Sequence, residues 1–175
     1  MIHAQMIPVF EQQVGALAGQ LTKAAKWCAE HGVSEAELLD TRLTPDMFPL
    51  AMQLNFVAAQ LLQPMRRLTG QDLPDPADAD ATIASHQARL NAALAAIAAI
   101  APATLDTDPD RMVAMDLPNG MSFDLSAADY VRDWALPQFW FHAVAAYSIM
   151  RMRGVPLGKI DFVPYMAKHL RKPAG

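Results

Sequence analysis

Apolar residues recur in alternating steps of three and four through Ile7, Phe10, Val14, Leu17, Leu21, Ala24 and Cys28, which draws one stripe down a helix. That spacing predicts a first helix over about residues 4–31, with Pro8 tolerated in its first turn and Gly32 supplying the left-handed residue that ends it. A short helical turn in SEAELLD and a loop containing Thr44-Pro45 follow. A second helix is then predicted over about 46–69, with Pro49 in its opening turn, where a missing amide hydrogen costs nothing. Its expected seam is Phe48, Met52, Asn55, Ala59 and Leu62, with a bend or loosened turns at Pro64 and a stop at Gly70.

The proline- and aspartate-rich stretch GQDLPDPADAD reads as a crossing loop. Asp80 or a neighbour is expected to cap a third helix over about 80–101, which carries Ile83, Leu90, Leu94, Ile97 and Ile100 among alanines and ends at Pro102. Next, Val113, Met115 and Leu117 alternate against Met121, Phe123 and Leu125 around Asn119-Gly120, the signature of a tight hairpin over about 111–125. Ser126 followed by Asp129 resembles a capping box and opens a fourth helix over about 127–152, stopped by Gly154. The tail, 155–175, is expected to hold one short helix.

Four long helices and one inserted hairpin make an all-α four-helix bundle the simplest packing, as a single domain over residues 1–175. Composition adds a partner: with 53% hydrophobic and 18% charged residues, the chain has apolar surface left for a second subunit, and a homodimer is expected. A net charge of -4 with scattered basic residues excludes a phosphate-tracking stripe, so nucleic acid is not an expected partner. The most apolar run, Leu90 to Leu105, contains Asn91 and Pro102 and is too short for a membrane span, which needs about 18 residues. No positive charge precedes Lys23, so a secretory leader is not expected, and the single Cys28 fits a reducing cytoplasm.

Candidate chemistry lies on the fourth helix. Val131, Ala135, Gln138, His142, Ala145 and Ile149 share one stripe, so Gln138 and His142 stand one turn apart among mostly small residues. Pro137 removes a ladder hydrogen bond, and a one-residue bulge there would rotate Asp133 by about 100° toward the seam. From helix two, Asn55 falls in the expected seam and Gln53 lies two residues off it. Three readings stay open. The polar residues satisfy one another and serve packing only; His142 acts as a base while amides orient a small-molecule ligand; or a divalent metal binds, which is not favoured because a Gln is a poor substitute for a His or carboxylate ligand. Cys28 reads as a small core hydrophobe, while His3, His31, His86 and His169 fall at helix ends or on exposed faces and are expected to be solvated.

The segments LLDTRLTPDMFPLAMQ (38–53) and DYVRDWALPQFWFHAVAAYSIMRMRGVPLGK (129–159), with the hairpin and capped last helix, resemble a bacterial domain of unknown function in the DinB-like (DinB/YfiT-like) metalloenzyme superfamily, over about residues 5–162. The resemblance implies an up-down-down-up bundle, often dimeric and cytoplasmic. It also implies a metal site of one His from helix two and two His one turn apart on helix four. Carried onto this chain, those positions are Gln53 or Asn55, Gln138 and His142, so His142 alone keeps the expected ligand type. The resemblance also implies that His often stands at the position of Asp133 and Asn at that of Gln138. Some superfamily members perform thiol-dependent transfer or isomerisation, a reading that rests on analogy alone.

Overall fold

The computed structural model describes residues 1–171. The chain is mostly helical, with one two-stranded antiparallel sheet. Helix α1 runs Ile2–His31, α2 Glu35–Leu39, α3 Leu50–Thr69, α4 Ile83–Ala98 and α5 Pro102–Leu105. Strands β1 (Met112–Asp116) and β2 (Ser122–Ser126) follow, then α6 (Ala127–Asp129), a π-helical stretch (Tyr130–Ala135), α7 (Leu136–Met152), α8 (Lys159–Phe162) and a 3-10 turn (Pro164–His169). The last four positions of the expected tail, 172–175, lie outside the described residues.

Every member of the α1 stripe, from Ile7 to Cys28, is buried. Gly32 ends the helix at φ 65°, its amide donating to the Cys28 carbonyl, a conformation that L side chains adopt at a cost of about 1–2 kcal/mol. α1 packs on both α4 and α7, and α3 packs on the same two helices, so the core lies among these four. The hairpin forms where expected, with Val113 opposite Leu125 and Met115 opposite Phe123, and Val113 and Met115 are buried in the core. Arg67 fastens it to α3 through the Ala114 carbonyl.

Several boundaries differ from the sequence reading. α3 starts at Leu50 rather than near 46, with Pro49 as its N-cap, and continues through Pro64 to Thr69. α4 starts at Ile83 under a Thr82 cap, whose hydroxyl accepts from the Ser85 amide, and Asp80 instead braces Thr82. Pro102 opens the short α5 rather than merely closing α4, because proline's fixed φ and missing N–H suit a first helical position.

The seam of α3 is a larger correction. Its buried face runs Leu50, Leu54, Val57, Leu61, Met65 and Leu68 and takes Gln53 in with it; Phe48 is 53% exposed, and Met52, Asn55 and Ala59 are only half-buried. The helix is amphipathic, with Gln63 and Arg67 exposed outside the buried face, and the stripe through Leu50, Leu54, Val57 and Leu61 is present in the sequence beside the expected one. Packing on both α4 and α7 decides between them. No helix among the described residues is long and apolar enough to cross a membrane.

Candidate functional site

The start of α3 is set by a clamp: the Leu50 amide donates to the Thr41 carbonyl at 2.9 Å, and Gln53 N–H closes the first turn on Pro49. This fixes the Phe48 carbonyl one turn before Gln53, whose side-chain Nε2 donates to it at 3.1 Å. The other end of the same amide, Oε1, lies 2.8 Å from Nδ1 of His142 on α7, across 89 positions of chain. A carbonyl can only accept, so the Gln53 NH2 group must face Phe48 and its oxygen must face the imidazole. His142 Nδ1 therefore carries the proton and donates, which leaves Nε2 with a free lone pair in the neutral ring.

The surroundings keep that ring neutral. His142 is 9% exposed and stacks on Phe56 with ring centroids 4.6 Å apart at 24°, while Phe141 meets it edge-on at 5.2 Å. Burial holds its pKa below the ordinary histidine value, since charging the ring would place an unpaired cation among aromatic groups. Phe141 and Ala145, which flank His142 on α7, line an open apolar groove of about 390 Å³ together with Leu43, Met47, Trp140 and Val144. Arg42 does not pair with Asp46; it donates to the Met47 carbonyl and so shapes one wall of the groove.

The five residues singled out from the sequence separate in space. Gln53 and His142 meet. Gln138, one turn before His142, is half-buried and makes no side-chain hydrogen bond among the described residues. Asn55 lies two residues, or about 200° of helix rotation, from Gln53; it lines a different cleft, against α2 and the start of α4.

Asp133 does not join the seam. The expected distortion before Pro137 exists, and Leu136 N–H reaches back five residues to the Val131 carbonyl. Asp133, however, lies within the π stretch and gains only part of its rotation, and Arg132 holds its carboxylate at the surface through two contacts of 2.7 Å. The same guanidinium keeps the Asp133 pKa below its ordinary value.

Two further expectations are corrected or refined. His86 is 3% exposed rather than solvated, and burial, with the Arg89 charge beside it, lowers its pKa. The signal was present in the spacing of Ile83, His86, Leu90, Ala93 and Ile97, the buried face of α4, which the alanines around it obscured. Cys28 is buried, and desolvation raises its thiol pKa, so it offers no thiolate.

The donor set does not suit a metal ion of the kind the DinB-like resemblance implies. His142 offers one free nitrogen, its neighbour Gln53 has both amide ends engaged, and Asp133 is held away by Arg132. Among the described residues no group of three His, Cys, Asp or Glu side chains is placed to hold a metal.

The sequence matches the family described as "Domain of unknown function (DUF1993)" over residues 2–163. Among solved structures, a DinB family member protein from Shewanella denitrificans superposes with a TM-score of 0.80 at 24% identity, covering 97% of this chain and 92% of that one. The two share a fold. No curated protein matches the sequence at a significant level.

Proposed function

The chain belongs to the DUF1993 family and has a DinB-like fold; on that premise we propose that it is a four-helix-bundle protein that binds a small apolar molecule bearing one N–H or O–H group. The ligand lies in the groove beside α7, whose lining residues Phe141 and Ala145 flank His142, and its N–H or O–H group is matched to the free Nε2 of that ring. The observation that carries this reading is the Phe48–Gln53–His142 relay, which spends a buried amide on fixing one imidazole tautomer. That partner satisfies the buried ring and at the same time leaves an acceptor at Nε2, which recognition of a donor would use. The groove contributes apolar contact and almost no competing polarity, Ser148 being its one polar lining residue. His142 is then a hydrogen-bond acceptor and, for an acidic ligand, a general base. Gln138 stands one turn away as a second polar contact.

The test is a thermal-shift titration with phenol, indole and toluene on the wild type and on His142→Phe. Phenol or indole should stabilise the wild type by a saturable shift that His142→Phe loses, while toluene, which has no donor, should do less in both. Equal responses to indole in the two proteins would remove the proposal.

A second reading has its own observation. Phe48 (53%), Phe141 (58%) and Val144 (45%) leave an exposed apolar face around the same groove, which favours a homodimer closing over it. Light scattering would then give twice the monomer mass for the wild type and the monomer mass for Phe141→Asp. A wild-type monomer at about 100 μM, well above the Kd of an ordinary stable dimer, would exclude it. Thiol-dependent transfer rests on superfamily analogy alone and has no comparable observation behind it. A reducing, cytoplasmic setting is the natural one for the free thiol of Cys28.

A further inference from the structure

The groove beside His142 is a gap between two walls. One wall is α7; the other is the connection 40–49 between α2 and α3, which contributes Leu43 and Met47. The Thr41 carbonyl accepts from the Leu50 amide at 2.9 Å and so brings the two ends of that connection together, the form of a compact loop packed by its own side chains. Inside it, the Met47 amide donates to the Thr44 carbonyl at 3.1 Å across a turn with Pro45 at its second position. The Thr44 hydroxyl donates to Asp46 at 2.5 Å, and Arg42 reaches across the loop to the Met47 carbonyl at 2.7 Å.

Met47 and Phe48 carry two tasks on adjacent residues. The Met47 carbonyl belongs to the peptide plane that joins them, so holding it restrains the direction of the next carbonyl, that of Phe48. The Phe48 carbonyl accepts from Gln53 Nε2 at 3.1 Å, the one hydrogen bond that this NH2 group makes among the described residues. While that acceptor stays in place, the Gln53 amide must turn its oxygen to His142 Nδ1, 2.8 Å away. The Phe48 ring adds a second link: it meets Phe56 edge-on at 5.2 Å, and Phe56 stacks on the imidazole. One loop thus lines the groove with Met47 and holds the histidine tautomer through Phe48.

We propose that the 40–49 loop sets the hydrogen-bonding sense of His142, with Arg42 as its positioning residue: the loop held in place makes Nε2 an acceptor, and a loosened loop lets Nε2 become a donor. The two ends of the Gln53 amide are alike in size, so once the Phe48 carbonyl moves off, the NH2 end is free to turn to Nδ1. Nδ1 then accepts: it gives up its proton to water, and Nε2 takes one up, so the ring keeps its charge while the two nitrogens exchange roles. A ligand that presses on Leu43 or Met47 acts on the same loop. Occupancy of the groove and the sense of His142 therefore bias each other to the same extent in either direction. The loop becomes the element that selects between ligands with a donor and ligands with an acceptor. That selection rests on the binding role proposed for His142, whereas the coupling of loop to tautomer is a property of the unliganded protein.

The experiment is imidazole proton–nitrogen NMR of the full chain at about pH 8, where histidine rings are neutral, the His142 signals being those absent from His142→Phe. Thermal-shift titration follows with indole and benzofuran, two molecules of one shape of which only indole has an N–H. The wild type should carry its proton on Nδ1. Arg42→Ala should move a measurable share of it to Nε2, and Arg42→Lys, which keeps a donor for the Met47 carbonyl, should restore most of the Nδ1 form. In a Gln53→Leu background Arg42→Ala should change the tautomer no further, an outcome that general loosening of the protein would not give. The preference for indole over benzofuran should fall about three- to ten-fold in Arg42→Ala, the equivalent of one hydrogen bond. Should Arg42→Ala fail to fold, Thr44→Val, which loosens the same turn, takes its place. An unchanged tautomer in both variants, an Arg42 effect that persists without Gln53, or an unchanged indole preference would each overturn the proposal. A tautomer that follows the loop while neither molecule binds the wild type would remove the binding role of His142 and leave the coupling of loop to tautomer in force.

Discussion

Replacing Gln53 by Leu isolates the energetics of the relay. The substitution keeps an apolar side chain of similar size on the buried face of α3 but removes the acceptor 2.8 Å from His142 Nδ1 and the donor 3.1 Å from the Phe48 carbonyl. The contact with the Phe48 carbonyl is only part-buried, so the loss there is the smaller of the two. The imidazole is 9% exposed, and whichever tautomer it adopts, one ring nitrogen is left buried and unpaired, at about 1–3 kcal/mol. A stability loss of about 2 kcal/mol corresponds to about 4–8 °C in Tm for a chain of this size.

The companion variant His142→Phe orphans Gln53 Oε1 instead and should cost a similar amount. The double variant removes both polar partners, leaving apolar groups that can pack on Phe56. Urea unfolding followed by circular dichroism on all four proteins should then give a favourable coupling of about 1–2 kcal/mol. If the two single effects add to within about 0.3 kcal/mol in the double variant, the two side chains do not share a hydrogen bond and the tautomer argument fails.

Other outcomes follow from the same structure. His86 and His142 both have folded pKa values below the ordinary 6.5, so between the folded and unfolded values the unfolded chain binds more protons and stability rises with pH. The urea midpoint should therefore hold its histidine contribution above pH 6.5 and fall as pH drops below it, with a shallower fall in a His86→Gln/His142→Phe variant; a midpoint that rises on acidification would contradict the burial of both rings. Cys28 should react with a thiol reagent at neutral pH far more slowly in the folded protein than in urea, because its thiol is buried and its pKa raised; matched rates would mean that α1 opens readily. Gly154 holds φ 96° while its added Cβ would meet only Trp27 at 3.8 Å, so Gly154→Ala should lose about 1–2 kcal/mol through backbone strain alone, read as a lower urea midpoint with an unchanged m-value.

The site was partly legible. His142 was marked by a polar residue on a stripe of small ones, and that stripe is buried apart from the half-buried Gln138. Its partner Gln53 was placed two residues off the expected seam of α3, whereas it lies on the buried face with Leu50, Leu54 and Val57. His86 was hidden by the alanines around it: a histidine among small residues has the same pattern whether its neighbour across the interface is a helix or water. Asp133 was tied to a bulge that does exist, yet its neighbour Arg132 supplies a nearer charge than anything in the seam.

The sequence by itself determined the helices, the glycine stops at Gly32 and Gly70, and the place of the hairpin. Each of these follows from hydrogen bonds and dihedral preferences among residues a few positions apart. Only the tertiary structure decided which face of α3 turns inward, that Gln53 meets His142 across 89 positions, and that Asn55 and His86 share a cleft of their own. Those outcomes depend on which distant surfaces exclude water from one another. The apolar face of α3 is written in its own residues, but nothing local records which distant helices that face will meet.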